Sequence, residues 1–133
     1  MPTPEEIRKL TSFLPRLYAP DFPPIKGWKG GERGEDGTIT MPAPEYDPVV
    51  RDFFRAASAP FWMDGRYLEL NADDMLTDEE LVISASLDQI RTMLTFCVRG
   101  ERFCDGHWDA MIEQGHIRRL LKRLMEIESE GMT

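Results

Sequence analysis

The chain has 133 residues, a length that fits one domain and lets a core bury roughly two thirds of the surface exposed by the unfolded form. A hydrophobic fraction of 41%, with seven Phe, three Trp and three Tyr, excludes a disordered chain; no apolar run approaches the roughly 18 residues of a membrane span, and MPTPEEIRKL lacks an apolar leader, so a cytoplasmic protein is expected. A formal charge of −8 (16 basic against 24 acidic residues) disfavours nonspecific binding to nucleic acid or anionic membranes, and Cys97 and Cys104 are expected to be thiols in a reducing compartment.

Thr3-Pro4-Glu5-Glu6 reads as a helix start, with Thr3 and Glu6 as a capping box, and a helix is predicted over 4–14, ended by Pro15. Residues 19–44 are crowded with Pro and Gly and are predicted to be a long loop, with 38–41 as a short edge strand. Its five glycines lack the Gly-Lys-Ser/Thr ending and the preceding strand of a phosphate cradle. Asp47-Pro48 opens a second helix over 48–58, with Val49, Val50, Phe53, Phe54 and Ala57 on one face. Phe61-Trp62-Met63 and Tyr67 to Leu70, joined at Asp64-Gly65, are predicted as a minor hairpin.

The acidic run Asp73, Asp74, Asp78, Glu79 and Glu80 lacks the alternating ligands and central glycine of a calcium loop, and reads as a solvated face with a Thr77 to Glu80 capping box and a short helix through Ile83. Ser86 and Gln89 cap a helix over 87–99 whose buried face is Leu87, Ile90, Met93, Leu94 and Cys97, with Gly100 as a left-handed stop. Helices over 106–114 and 116–128 follow, the last burying Ile117, Leu120, Leu121, Leu124 and Ile127. The fold class is therefore mainly α: a small single-domain helical bundle over 1–133 with a minor β-hairpin or strand pair, and a three-helix module at 86–128.

Charge is uneven along this plan. Residues 86–125 hold seven Arg and Lys against five acids (+2), and the rest hold nine against nineteen (−10). The C-terminal module is thus the one place suited to an anionic ligand.

Residues 98–108, VRGERFCDGHW, gather the most chemistry. Helix ends account for much of it: Arg99 at a negative helix terminus, Gly100 as the stop, Phe103 as an apolar plug, Asp105 as the next cap and Trp108 on a buried face. Glu101, Arg102, Cys104 and His107 are left without structural work. A Cys104–His107 nucleophile pair, oriented by Asp105 or Glu101, is disfavoured because such groups normally converge from separate elements. A zinc site on Cys97, Cys104, His107 and His116 lacks a Cys-x-x-Cys knuckle, and Cys97 lies on an apolar stripe, so neither metal nor cofactor is expected. His116, just after Gly115, is expected at the surface or in a cap. Arg118, Arg119, Lys122 and Arg123 resemble the basic face of a DNA-reading helix, but the preceding connection is long for that motif and the whole-molecule charge opposes phosphate.

The segment SLDQIRTMLTFCVRGERFCDGHWDAMIEQGHIRRLLKRL, with DGTITMPAPEYDPVVRDFF and FWMDGRY upstream, resembles an uncharacterised bacterial family, a domain of unknown function about as long as this chain. The resemblance covers most of residues 37–124 and marks Arg99, Glu101, Arg102, Phe103, Asp105, Gly106 and Trp108 as the family motif. It implies a bacterial or phage setting and brings no activity or cofactor. Where family members read Pro-Tyr-Pro this chain has Pro42-Ala43-Pro44, so no tyrosine role carries over there.

Two functions are weighed. The leading expectation is a non-enzymatic interaction or regulatory module whose acidic face (Asp73, Asp74, Asp78, Glu79, Glu80) meets a basic protein partner, one form being a phage-type inhibitor. The alternative is a small enzyme or anionic-ligand binder centred on Arg99, Glu101, Arg102, Asp105, His107 and Trp108. Convergence of Arg99, Arg102 and His107 on one cleft favours the alternative; an Arg102–Glu101 surface pair with Trp108 filling the core opposes it.

Overall fold

A computed structural model describes residues 1–30, 34–37 and 43–131. Thr3 accepts from the Glu6 backbone N–H at 3.2 Å and the Glu6 carboxylate accepts from the Thr3 N–H at 2.8 Å, so the predicted box opens α1 (Pro4–Thr11). Pro15 does not end the helical path. It sits in the first turn of α2 (Leu14–Leu17), where its missing N–H has no carbonyl to meet.

The predicted long loop contains half of a sheet instead. β1 (Ile25–Lys29) pairs antiparallel with β2 (Ala43–Tyr46), Trp28 facing Pro44, with a bulge between Ile25 and Gly27. The Gly and Pro content that argues for a loop is tolerated because both strands are edges, where a proline forfeits little pairing. The strand pair thus exists, but away from residues 61–70. There Pro60–Trp62 form a 3₁₀ turn that buries Trp62, and Asp64 accepts from Arg66 N–H to shape a turn. The edge strand predicted at 38–41 lies outside the described residues.

α3 (Pro48–Ala57) starts as expected, with the Asp47 carboxylate accepting from Val49 N–H, and buries Val50, Phe53, Phe54 and Ala57. α4 (Ala72–Thr77) and α5 (Glu79–Ile83) carry the acidic run. The cap of α5 is Asp78, accepting from Leu81 N–H, whereas the Thr77 hydroxyl donates to the Asp74 carbonyl, so the Thr77–Glu80 box is not formed.

α6 (Leu87–Arg99) is central. Its Ser86–Gln89 box is present, and Ile90, Met93, Leu94 and Cys97 are fully buried against α3, α4 and α8. α7 (His107–Glu113) and α8 (His116–Ser129) follow, each entered through a left-handed glycine, Gly106 and Gly115. α8 buries the five predicted apolar residues, packs on α1, and is tied to it by an Arg8–Glu128 ion pair at 2.6 Å. Full burial of one such Leu or Ile side chain is worth about 1.5–3 kcal/mol, and one continuous core joins α1, α3, α6, α7 and α8. The molecule is a small, mainly helical single domain with one two-stranded sheet. Among the described residues no helix is long and apolar enough to cross a membrane.

Candidate functional site

Helical spacing builds one wall of an open groove. Arg51 and Arg55 of α3 and Ser58, which caps its C-terminus, stand along one line, with Phe54 turned toward the core behind them. The opposite wall is the end of α6 and the 3₁₀ turn Gly100–Arg102 that continues it, presenting Val98, Arg99, Glu101 and Arg102, with Trp108 of α7 and Met63 completing the lining. The groove encloses about 590 Å³. Arg51, Arg55 and Arg102 are exposed and Arg99 is half-buried. Arg55 reaches Asp52 only at 4.0 Å, and among the described residues Arg51, Arg99 and Arg102 have no ion-pair partner. Arg99 does lie 5.5 Å from the centre of the Tyr67 ring.

Glu101 is held by three donors. One carboxylate oxygen accepts from Tyr46 Oη at 2.6 Å and from Trp108 N–H at 2.8 Å; the other accepts from Gly106 N–H at 3.0 Å. This carboxylate therefore caps α7, the work expected of Asp105, which is exposed and makes no cap. Burial, reinforced by the Glu101 carboxylate, pushes the Tyr46 hydroxyl well above its ordinary range, so it stays a donor.

Trp108 is half-buried and fully engaged: stacked on Phe54 (centroids 4.5 Å apart, planes 5° apart), tilted against Tyr46, and donating Nε1–H to the Val98 carbonyl at 3.0 Å. It lines the groove while bracing α7 against α3 and α6, so it is packed against the core without filling it. Neither arm of the test set by the sequence is met in full: Arg99 and Arg102 share the groove, but His107 does not. No Arg102–Glu101 ion pair forms among the described residues.

His107 does not join the groove. Its ring lies edge-on to Phe96, with Nε2 at 3.2 Å from the Phe96 carbonyl; since a carbonyl only accepts, Nε2 carries the proton. Burial holds this imidazole below its ordinary pKa. The ring fills the space over Gly100, whose backbone is right-handed (φ −62°), so this glycine is not the left-handed stop predicted for it. A Cβ there would fall 2.3 Å from His107 Nε2, and that close approach is what calls for glycine.

Other expectations also change. Phe103 is not a plug, being 83% exposed. Cys104 is exposed, with Sγ directed to the Asp105 carbonyl, and is not paired with His107. Cys97 is buried, and among the described residues no three His, Cys, Asp or Glu side chains group as a metal site. His116 is buried, not at the surface; Arg119 donates to its Nδ1 at 2.8 Å and its Nε2 faces Gln114 Oε1, which makes it neutral. Burial first, then Arg119, lowers its pKa. The α8 cations divide similarly: Arg123 donates to the Ala85 carbonyl and Glu126, Arg119 serves His116, and Arg118 lies over the Tyr18 ring, leaving Lys122 exposed. Asp73, Asp74, Asp78, Glu79 and Glu80 are all exposed, in the first turns of α4 and α5 or capping α5, where the helix dipole favours negative charge.

Of the motif candidates, Arg99, Glu101, Arg102 and Trp108 thus meet in one groove, and Asp105 and His107 do not line it. Sequence reading missed Arg51, Arg55 and Tyr46. The i, i+4 spacing of the two arginines was visible, but nothing local says that this face of α3 meets the end of α6.

A family model described as a family of unknown function (DUF6508) matches residues 2–130, more of the chain than the motif resemblance covers. No curated protein and no solved structure matches the chain.

Proposed function

This chain belongs to that family of unknown function, and we propose that it is a binding protein for an anion of at least two negative charges, held between α3 and the α6–α7 junction. One observation carries the reading. In a chain of net charge −8, four arginines (Arg51, Arg55, Arg99, Arg102) are among the residues that line one groove, beside a single acidic lining residue, Glu101. With Asp52 counted beside Arg55, four positive charges less two leave +2 at the groove, which a monoanion would only half compensate. Guanidinium forks match phosphate and carboxylate oxygens, and each charge-assisted hydrogen bond is worth roughly 1.5–3 kcal/mol.

The reading is of binding rather than catalysis. The Glu101 oxygens are occupied by Tyr46, Gly106 and Trp108, and the Ser58 hydroxyl donates to the Arg55 carbonyl at 2.7 Å, so neither is poised as a base or nucleophile. It also ranks above the acidic-face module, because the acidic side chains already have a structural account in helix capping and dipole.

Calorimetric titration with inorganic pyrophosphate tests it. Saturable one-to-one binding is expected, weakened at least tenfold in Arg51→Ala and in Arg102→Ala. Absence of saturable binding, or binding indifferent to both substitutions, would overturn the proposal.

A further inference from the structure

Building on the anion reading, we infer that the groove takes an organic phosphate, with an apolar body seated beside the clamped phosphate, rather than an inorganic anion. Size gives the first reason. About 590 Å³ lies within the range of small-molecule sites, roughly 300–1,000 Å³, and is several times what one phosphate group fills. The second reason is the lining. Met63, Val98 and Trp108 are half-buried and line the groove.

An inorganic anion clamped by the arginines would leave those apolar atoms facing water. A ligand with an apolar body covers them. The Trp108 ring is stacked on Phe54 and tilted against Tyr46, so it offers the ligand an edge and not a free stacking face. The body is therefore gripped by shape and apolar contact with Met63, Val98 and the Trp108 edge. A phosphate monoester suits the charged part because it concentrates about two negative charges on one compact group, which arginines from both walls can share.

The test compares one headgroup with and without a body: inorganic phosphate against 1-naphthyl phosphate, with neutral 1-naphthol as the body alone, each titrated calorimetrically into the full chain. Naphthyl phosphate is expected to bind at least tenfold more tightly than phosphate, a difference of about 1.4 kcal/mol, and naphthol far more weakly than naphthyl phosphate. Val98→Thr, which keeps the shape of the wall but exchanges a methyl for a hydroxyl, is expected to weaken naphthyl phosphate about threefold to tenfold, more than it weakens phosphate; an equal effect on the two would overturn the inference. Phosphate binding as tightly as naphthyl phosphate would overturn the inference and leave the anion reading standing. Naphthol matching naphthyl phosphate, or no binding by either phosphate, would overturn both.

Discussion

Gly100 carries the tightest steric demand in the motif. Its helical φ means that alanine there has no backbone strain and would even gain helix propensity, so any loss comes from the clash of its Cβ with the His107 ring. Gly100→Ala is expected to cost about 1–3 kcal/mol in urea unfolding, the usual range for overpacking. Removing the ring as well, in Gly100→Ala with His107→Ala, is expected to give less than the sum of the two single losses. Additive losses would mean that the two residues do not share one space. The same imidazole sets a pH dependence. His107 and His116 are both held below the ordinary histidine value by burial, so the unfolded chain binds more protons and stability falls as pH drops below about 6.5. Unfolding midpoints are expected to decline from pH 7.5 to 5.5, less steeply in His107→Asn; an equal slope in wild type and variant would contradict it.

Among the elements, the division between what could be read and what could not follows the range of the contacts. Most caps made within three residues were legible: the Thr3–Glu6 and Ser86–Gln89 boxes and the Asp47 cap form, and only the α5 cap fell one residue from its expected place, on Asp78 instead of Thr77. Apolar periodicity likewise marked the buried sides of α3, α6 and α8. Caps supplied from afar were not legible. Glu101 closes α7 from the preceding turn, and Tyr18 joins two helix ends from nearly a hundred residues upstream, donating to the Ile112 carbonyl at 2.8 Å and accepting from Arg118 N–H at 3.0 Å. A strand pair was expected and forms, but its place at β1–β2 was not legible for the same reason, since these strands are weak locally and gain order from each other and from Tyr46 on Glu101. Tyr18→Phe leaves the Arg118 N–H without its partner, while the Ile112 carbonyl keeps the Gly115 N–H, and is expected to cost about 1–3 kcal/mol by urea denaturation. A loss below the error of the measurement would show that this tie is dispensable.

For the whole molecule, charge is the decisive quantity. The −8 of the chain opposes an approaching anion, yet at about 0.1 M salt fields are screened beyond roughly 10 Å, so the local arginines govern capture. Raising salt is therefore expected to weaken anion binding; binding that strengthens with salt would mean that repulsion by the acidic surface dominates. Half of the candidate site was legible, because Arg99, Glu101, Arg102 and Trp108 fall in one stretch. The half on α3 depends on tertiary packing that brings Arg51 and Arg55 across from the motif. The most direct measurement is an NMR titration of the arginine Nε–H groups with pyrophosphate. The expected result is that Arg51, Arg55, Arg99 and Arg102 shift together with the Trp108 indole N–H, while Arg91 and Arg123, both engaged by backbone carbonyls, stay in place. Shifts centred on Arg118 and Arg119 of α8, or no shifts at all, would contradict the assignment of this groove.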